Sequence, residues 1–106
     1  MAGNVQTVTD QDFAPFTKQQ GVVLIDFWAP WCGPCRRVAP VVEQLSQELP
    51  GVHFGKLNTD ENQMTAAQNG VMSIPTLMVY KDGQKVDQVV GAVPKEMLAA
   101  TIKRHL

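Results

Sequence analysis

The chain has 106 residues, nine of them lysine or arginine and ten aspartate or glutamate, with a formal net charge of −1 at pH 7. This length fits one domain, 1–106, that buries a core of its own. The balanced charge argues against nucleic acid and anionic membranes as partners. The longest aliphatic run, Val22 to Ile25, is far shorter than the roughly 18 apolar residues of a membrane span. The first residues, MAGNVQTVTDQDF, do not resemble a secretory signal, so we expect a reducing cytoplasm.

The first quarter of the chain predicts two strands around a weak helix. A short strand is expected near Asn4 to Thr7, and a helix from about Asp10 to Gln19 whose start is blurred by Pro15. Val22 to Trp28 is apolar on both alternating sets of positions, which is typical of a central strand covered on both faces. Asp26 is the one charged residue in this apolar run.

A longer amphipathic helix follows the turn after this strand. Apolar residues recur at spacings of three and four from Val38 to Leu49, so we expect the helix to begin at about Cys32 or Gly33. Pro40 lies within it and should bend it rather than end it, because the apolar pattern continues.

The second half predicts three more strands and two more helices. Val52 to Asn58 reads as a strand, and Asp60 with Gln63 forms a capping-box pattern for a short helix that ends at Asn69-Gly70. Two β-rich runs, Thr76 to Lys81 and Lys85 to Val90, flank Asp82-Gly83-Gln84, a strong hairpin signal. Pro94 opens a last helix whose expected apolar stripe is Met97, Leu98, Ile102 and Leu106.

The element order is therefore β-α-β-α-β-α-β-β-α. Early parallel connections and a late hairpin predict an α/β fold, a central mixed five-stranded sheet flanked by four helices on both faces. Cys32 would follow the carboxyl end of a central strand, where sites in open α/β sheets lie.

The two cysteines, Cys32 and Cys35, fit a zinc half-site, a structural disulfide or a redox couple. A cytoplasmic disulfide is usually catalytic, and closing so short a loop removes little entropy from the unfolded chain. Zinc would need two further ligands, and the candidates His53 and His105 are isolated residues far apart in sequence. The pattern therefore favours a redox couple and predicts no metal.

The position of the pair at a helix N-terminus gives each cysteine a role. The free amides and the positive end of the helix dipole favour the thiolate of Cys32, which makes it the nucleophile and Cys35 the buried resolving thiol. Pro34 supplies no amide hydrogen, so the thiolate is stabilised only in part. We therefore expect Gly33-Pro34 to set a low redox potential and to make the protein a reductant.

Other residues near the pair have candidate roles. Asp26 within an apolar strand should have its pKa raised by desolvation, and beside two thiols it is a candidate proton acceptor and donor for Cys35. Lys56 on the following strand is the candidate that tunes this acid. We interpret Trp28 as mainly a core aromatic and Trp31, in a loop bounded by prolines, as a contact surface.

The motif DFWAPWCGPC, with Pro40, Lys56-Leu57-Asn58, Ser73-Ile74-Pro75-Thr76 and Val90-Gly91-Ala92, resembles the thioredoxin family over nearly the whole chain. The resemblance implies a thioredoxin-like fold and a monomeric protein-disulfide reductant. It implies dithiol–disulfide exchange with disulfide-containing protein substrates. It also implies electrons from NADPH through a flavin-containing thioredoxin reductase, and no cofactor other than the cysteine pair.

The resemblance also implies how substrates bind. The Ile74–Pro75 bond would be cis, and an apolar platform around Cys32 would consist of Trp31, Gly33, Pro34, Ile74, Pro75, Gly91 and Ala92. Two of the departures from the family pattern concern the surface around the site. Pro30 stands where many relatives carry an acidic residue, and Thr59 replaces an aliphatic residue of the platform, which should make that edge more polar.

Two alternatives remain open from the residues. The same surface would serve a non-catalytic protein-binding subunit. A disulfide isomerase or oxidant is a weaker variant, because Gly33-Pro34 argues for a reductant.

Overall fold

The computed structural model describes residues 4–106 and follows the predicted order of elements. The elements are β1 (Val5–Thr7), α1 (Phe13–Thr17), β2 (Val22–Trp28), α2 (Gly33–Glu48), β3 (Val52–Asn58), α3 (Gln63–Gln68), β4 (Thr76–Lys81), β5 (Gln84–Val90) and α4 (Lys95–Lys103).

The five strands form one mixed sheet in the order β1-β3-β2-β4-β5. The β1–β3 and β3–β2 pairs are parallel, whereas β2–β4 and β4–β5 are antiparallel. The central strand β2 is buried at six of its seven positions, as its continuous apolar character predicts. The predicted fold class, a mixed five-stranded sheet with four helices, is confirmed.

Two apolar cores lie on opposite faces of the sheet. On one face, Leu24 of β2 packs with residues of α2 and α4, including Val42 and Leu98. On the other, Ile25 and the remaining odd-numbered positions of β2 pack with Phe13 and Phe16 of α1. Because side chains alternate along a strand, Asp26 points to the same face as Leu24, the face that α2 covers.

The first and third helices differ from expectation. α1 spans only Phe13–Thr17, with Pro15 inside its first turn, where a missing amide hydrogen is tolerated. The prediction that Asp60 and Gln63 form a capping box is wrong. α3 begins at Gln63 itself after Asn62, and the Asp60 carboxylate accepts the indole N–H of Trp31 instead of a helix amide. A tertiary contact has replaced the local cap.

The hairpin between β4 and β5 also differs from the sequence prediction. The loop is only Asp82-Gly83, both with positive φ, so β5 begins one residue earlier than predicted, at Gln84. Val86 is an extra, bulged residue on β5, because Val79 pairs with Asp87 and Tyr80 with Lys85.

In α4 only part of the predicted apolar stripe is buried. Leu98 and Ile102 are buried, whereas Met97 and Leu106 are largely exposed. The helix ends at Lys103, so Leu106 lies beyond its last turn.

Just after the helix, Arg104 and His105 both bind the Asp87 carboxylate of β5, at 2.9 and 3.0 Å. Hydrogen bonds from His105, which has the larger effect, and from Arg104 lower the pKa of Asp87 to about 2.

Gly55 in β3 marks a close approach of three side chains, and substitution there should destabilise the fold. A Cβ at this position would lie 2.7 Å from Val8 Cγ2, 2.9 Å from Phe16 Cε2 and 3.0 Å from Ile25 Cδ1. We expect Gly55→Ala to lower the free energy of unfolding by about 1–3 kcal/mol, as overpacking does. Urea unfolding measures this change. Gly51→Ala is the control, since a Cβ there meets nothing within 4 Å and should have little effect.

Candidate active site

The two cysteines form a disulfide at the N-terminus of α2. Their Cα atoms are 5.2 Å apart. Cys32 is the N-cap residue, with an extended backbone, and its Sγ accepts the backbone N–H of Cys35 at 3.1 Å. This contact lets the amides at the helix start stabilise negative charge on Cys32 when the pair is reduced.

The two cysteines are almost equally buried. Cys32 is 3% exposed and Cys35 is 2% exposed. Their surroundings differ more. Cys32 Sγ lies 3.9 Å from the carbonyl oxygen of Ile74, whereas Cys35 lines a partly open cavity with Asp26. The assignment of Cys32 as nucleophile therefore depends on its hydrogen bond at the helix start rather than on accessibility.

Asp26 is a buried carboxyl group behind the disulfide. It is 4% exposed, and its Oδ1 has no hydrogen-bond partner within residues 4–106. Burial raises the pKa of Asp26 from 3.8 to about 7, and the positive charge of Lys56 opposes this rise. Lys56 pairs in register with Asp26 across β2 and β3. The group can thus hold or release a proton near neutral pH.

A cavity of about 120 Å³ connects these groups. Its lining residues are Asp26, Trp28, Cys35, Arg36, Ala39 and Lys56. The Lys56 Nζ lies 5.9 Å from the centre of the Trp28 ring, within cation–π range. Trp28 is half-buried, and its indole N–H is buried without a partner in the described residues. The acid, the resolving cysteine and Lys56 therefore face one pocket between the sheet and α2.

Trp31 lies on the surface beside the disulfide, as the sequence predicts. It is 68% exposed, and its indole N–H is held by the Asp60 carboxylate at 3.0 Å. The ring borders a groove of about 410 Å³ whose other lining residues are Thr59, Ala66, Val71, Met72, Ser73 and Ile74. The Thr59 hydroxyl donates to the carbonyl oxygen of Trp28, so this hydroxyl already has a hydrogen-bond partner within the protein.

The loop before β4 closes the other side of the site. The Ile74–Pro75 peptide bond is cis, and Ile74 packs against the cluster of Ala29, Cys32 and Cys35. The carbonyl oxygen of Pro75 accepts the N–H of Gly91 at 2.8 Å, which joins this loop to the end of β5. Gly91 has a φ of 98°, a conformation that favours glycine.

The predicted platform residues differ in exposure. Pro34 and Ala92 are exposed, and Gly33, Ile74 and Gly91 are half-buried. Pro75 is buried, so it supports the surface more than it forms it.

Two contacts at the site had no clear sequence signal. The Arg36 guanidinium folds back from α2, and its Nη1 donates to the carbonyl oxygen of Pro30 at 2.8 Å. The bond between Trp31 and Asp60 joins residues 29 positions apart. The strand-to-helix junction predicted the location of a site but neither of these contacts.

No group of three His, Cys, Asp or Glu side chains within residues 4–106 is arranged to hold a metal ion. In the same range, none of the helices has the length and apolar character needed to cross a bilayer.

Comparisons with known proteins agree with this geometry. A family model described as Thioredoxin matches residues 4–104. The chain is 65% identical over 85 residues to a thioredoxin of Synechocystis sp., covering 79% of each sequence. It is 56% identical over 101 residues to thioredoxin 1 of Nostoc sp., covering 93% of this chain and 94% of the relative.

A solved structure has the same fold. A mutant thioredoxin from Halobacterium salinarum superposes with a TM-score of 0.90 at 35% identity, covering 99% of this chain and 95% of the other. The sequence match and the helix-start disulfide lead to one conclusion. The chain belongs to the thioredoxin family and is a thiol–disulfide oxidoreductase.

Proposed function

We propose that the chain reduces disulfides of proteins by a two-step exchange begun by Cys32. The Cys32 thiolate attacks one substrate sulfur, which forms a mixed disulfide, breaks the substrate S–S bond and releases one substrate thiolate. Cys35 then attacks Cys32 Sγ, which forms the Cys32–Cys35 disulfide and releases the second thiolate. The substrate gains two electrons and the protein loses two. The hydrogen bond from the Cys35 amide to Cys32 Sγ is the observation that carries this assignment.

Asp26 is the proposed proton acceptor for Cys35. The two residues line one cavity, and the pKa of Asp26 near 7 allows the carboxylate to take a proton from the Cys35 thiol and later return it. Lys56 tunes this group, since its charge favours the ionised acid. Gly33 and Pro34 set the redox potential, because Pro34 removes one amide donor near Cys32.

The substrate would lie across the surface formed by Trp31, Ile74, Gly91 and Ala92, above the buried Pro75. Ile74 supports this placement, because its backbone N–H has no hydrogen-bond partner within residues 4–106 and its carbonyl oxygen faces Cys32. An extended segment of substrate could pair with these backbone groups as an added strand does.

We propose that electrons reach the pair from NADPH through thioredoxin reductase. In this scheme the protein works as a monomer in the cytoplasm and uses its disulfide as the sole redox group. A reductant of this kind fits a reducing compartment, where structural disulfides are rare. Family membership supports the reductase and disulfide-containing proteins as partner classes.

A coupled assay tests the proposal. The oxidised protein is mixed with NADPH, a thioredoxin reductase and insulin, and NADPH consumption is followed by absorbance. We expect consumption that depends on both the chain and insulin, and that falls to background in Cys32→Ser. Unchanged turnover in that variant would contradict the proposal.

A further inference from the structure

Arg36 places an exposed positive charge directly beside the active-site loop. Its Nη1 donates to the carbonyl oxygen of Pro30 at 2.8 Å, and its Nη2 would lie 3.9 Å from a Cβ built on Gly33. Pro30 and Gly33 flank Trp31 and Cys32 in the chain. The guanidinium is therefore held next to the residue that attacks the substrate.

Most of the binding capacity of this guanidinium is free. It carries five N–H donors, and the Pro30 carbonyl is its one hydrogen-bond partner within residues 4–106. No carboxylate in that range forms an ion pair with it, whereas Lys95 pairs with Glu48 and Arg104 with Asp87. An arginine that is fixed by one bond and otherwise unpaired is preorganised to bind a carboxylate through two parallel hydrogen bonds.

The neighbouring charges favour an anionic group here. Lys56 lines the same cavity as Arg36 and adds a second positive charge. Pro30, which anchors the guanidinium, has no side-chain charge to neutralise it. Asp60 also reaches the active-site loop and keeps its negative charge, but its carboxylate bonds the Trp31 indole and forms no ion pair with Arg36 within residues 4–106. Asp26 lines this cavity too, but it is buried at its base and forms no ion pair with Arg36 within residues 4–106.

We propose that Arg36 recognises a carboxylate next to the disulfide of a protein substrate. Substrates with Asp or Glu beside the reacting cystine are then reduced faster than substrates with neutral residues there. This inference rests on the protein-disulfide reductase activity proposed above and names the class of substrate that the site prefers. Arg36 acts as a specificity residue and takes no part in the exchange of sulfur atoms.

Two matched disulfide peptides test this role. They differ only in the residues flanking the cystine, which are Glu in one and Gln in the other, and the second-order rate constant for their reduction by the reduced protein is measured. We expect the wild type to prefer the Glu peptide by roughly three- to fivefold at low ionic strength, as charged contacts at an interface rim allow. Salt at about 0.5 M should remove most of this preference.

Three variants separate charge from structure. Arg36→Gln removes the charge but keeps a polar side chain and should lose the preference, whereas Arg36→Lys keeps the charge and should retain part of it. Lys81→Gln is the matched control. Lys81 is exposed and pairs with Val22, at the opposite end of β2 from Cys32, so its loss should leave the preference unchanged.

The results either support or overturn the inference. It is overturned if the wild type shows no preference, if Arg36→Gln slows both peptides equally, or if Lys81→Gln abolishes the preference as well. A wild-type protein that reduces neither peptide would overturn the proposed function, and this inference with it. Loss of the preference in Arg36→Gln alone, with normal reduction of the Gln peptide, supports recognition by Arg36.

Discussion

Replacing Cys35 by serine is expected to stop turnover and to leave the protein covalently joined to its substrate. Cys32 can still attack a substrate disulfide, because its hydrogen bond comes from the backbone N–H of residue 35, which serine keeps. The serine hydroxyl is too weak a nucleophile to attack the mixed disulfide. Reduced Cys35→Ser mixed with insulin should therefore accumulate a conjugate, visible by non-reducing electrophoresis and mass spectrometry, while the coupled assay falls to background.

The reciprocal variant is the control for the order of attack. Cys32→Ser retains only the cysteine that lines the cavity with Asp26, and it should form little conjugate. Since the two residues are almost equally buried, this comparison tests the helix-start argument rather than access. A conjugate that forms mainly through Cys35 would reverse the proposed roles. Addition of dithiothreitol should release the insulin and show that the link is a disulfide.

Removing the acid at position 26 should abolish a pH dependence of stability. In the folded protein Asp26 stays protonated up to about pH 7, whereas in the unfolded chain it ionises near 3.8. Between these values the folded state binds more protons, so its stability falls as pH rises. The rise in pKa corresponds to about 4 kcal/mol, fully present below pH 3.8 and lost above about pH 7. Asp26→Asn should lack this fall, as measured by guanidinium unfolding with the disulfide intact.

A second variant tests the electrostatic cause. The charge of Lys56 lowers the pKa of Asp26, so Lys56→Gln should raise it further and extend the loss of stability to higher pH. Asp87, whose pKa is lowered from 3.8 to about 2, contributes with the opposite sign between these two values, at and below the lower edge of the range. Identical pH profiles for Asp26→Asn and the wild type would show that Asp26 is not buried as a neutral acid.

The regular elements could be predicted because their residues carry strong periodic signals. The apolar run of β2 and the amphipathic pattern of α2 each reflect burial that hardly depends on the rest of the fold. The position of Cys32 at their junction followed directly. The short helices were less predictable, since α1 and α3 have five and six residues and too few apolar positions to fix their ends.

The details of the site depend on contacts between distant segments. Asp60 fits a local capping pattern, yet Trp31 from another loop binds its carboxylate. The isomer of the Ile74–Pro75 bond is set by tertiary context, so the local residues did not indicate it. Lys56 was the predicted neighbour of Asp26, and the register of β2 and β3 places the two residues side by side. The sequence shows which chemical groups are present, whereas the fold determines their contacts and conformations.

The bulge in β5 has a consequence for self-association. β5 lies at the edge of the sheet, where unpaired backbone groups can recruit a strand from another molecule. The extra residue Val86 interrupts the regular ladder, and the neighbouring Lys85 adds a charge to this edge. Arg104 and His105 bind Asp87 and hold the chain after α4 against the same strand. These features discourage edge-to-edge pairing of β5 with a second copy of the chain.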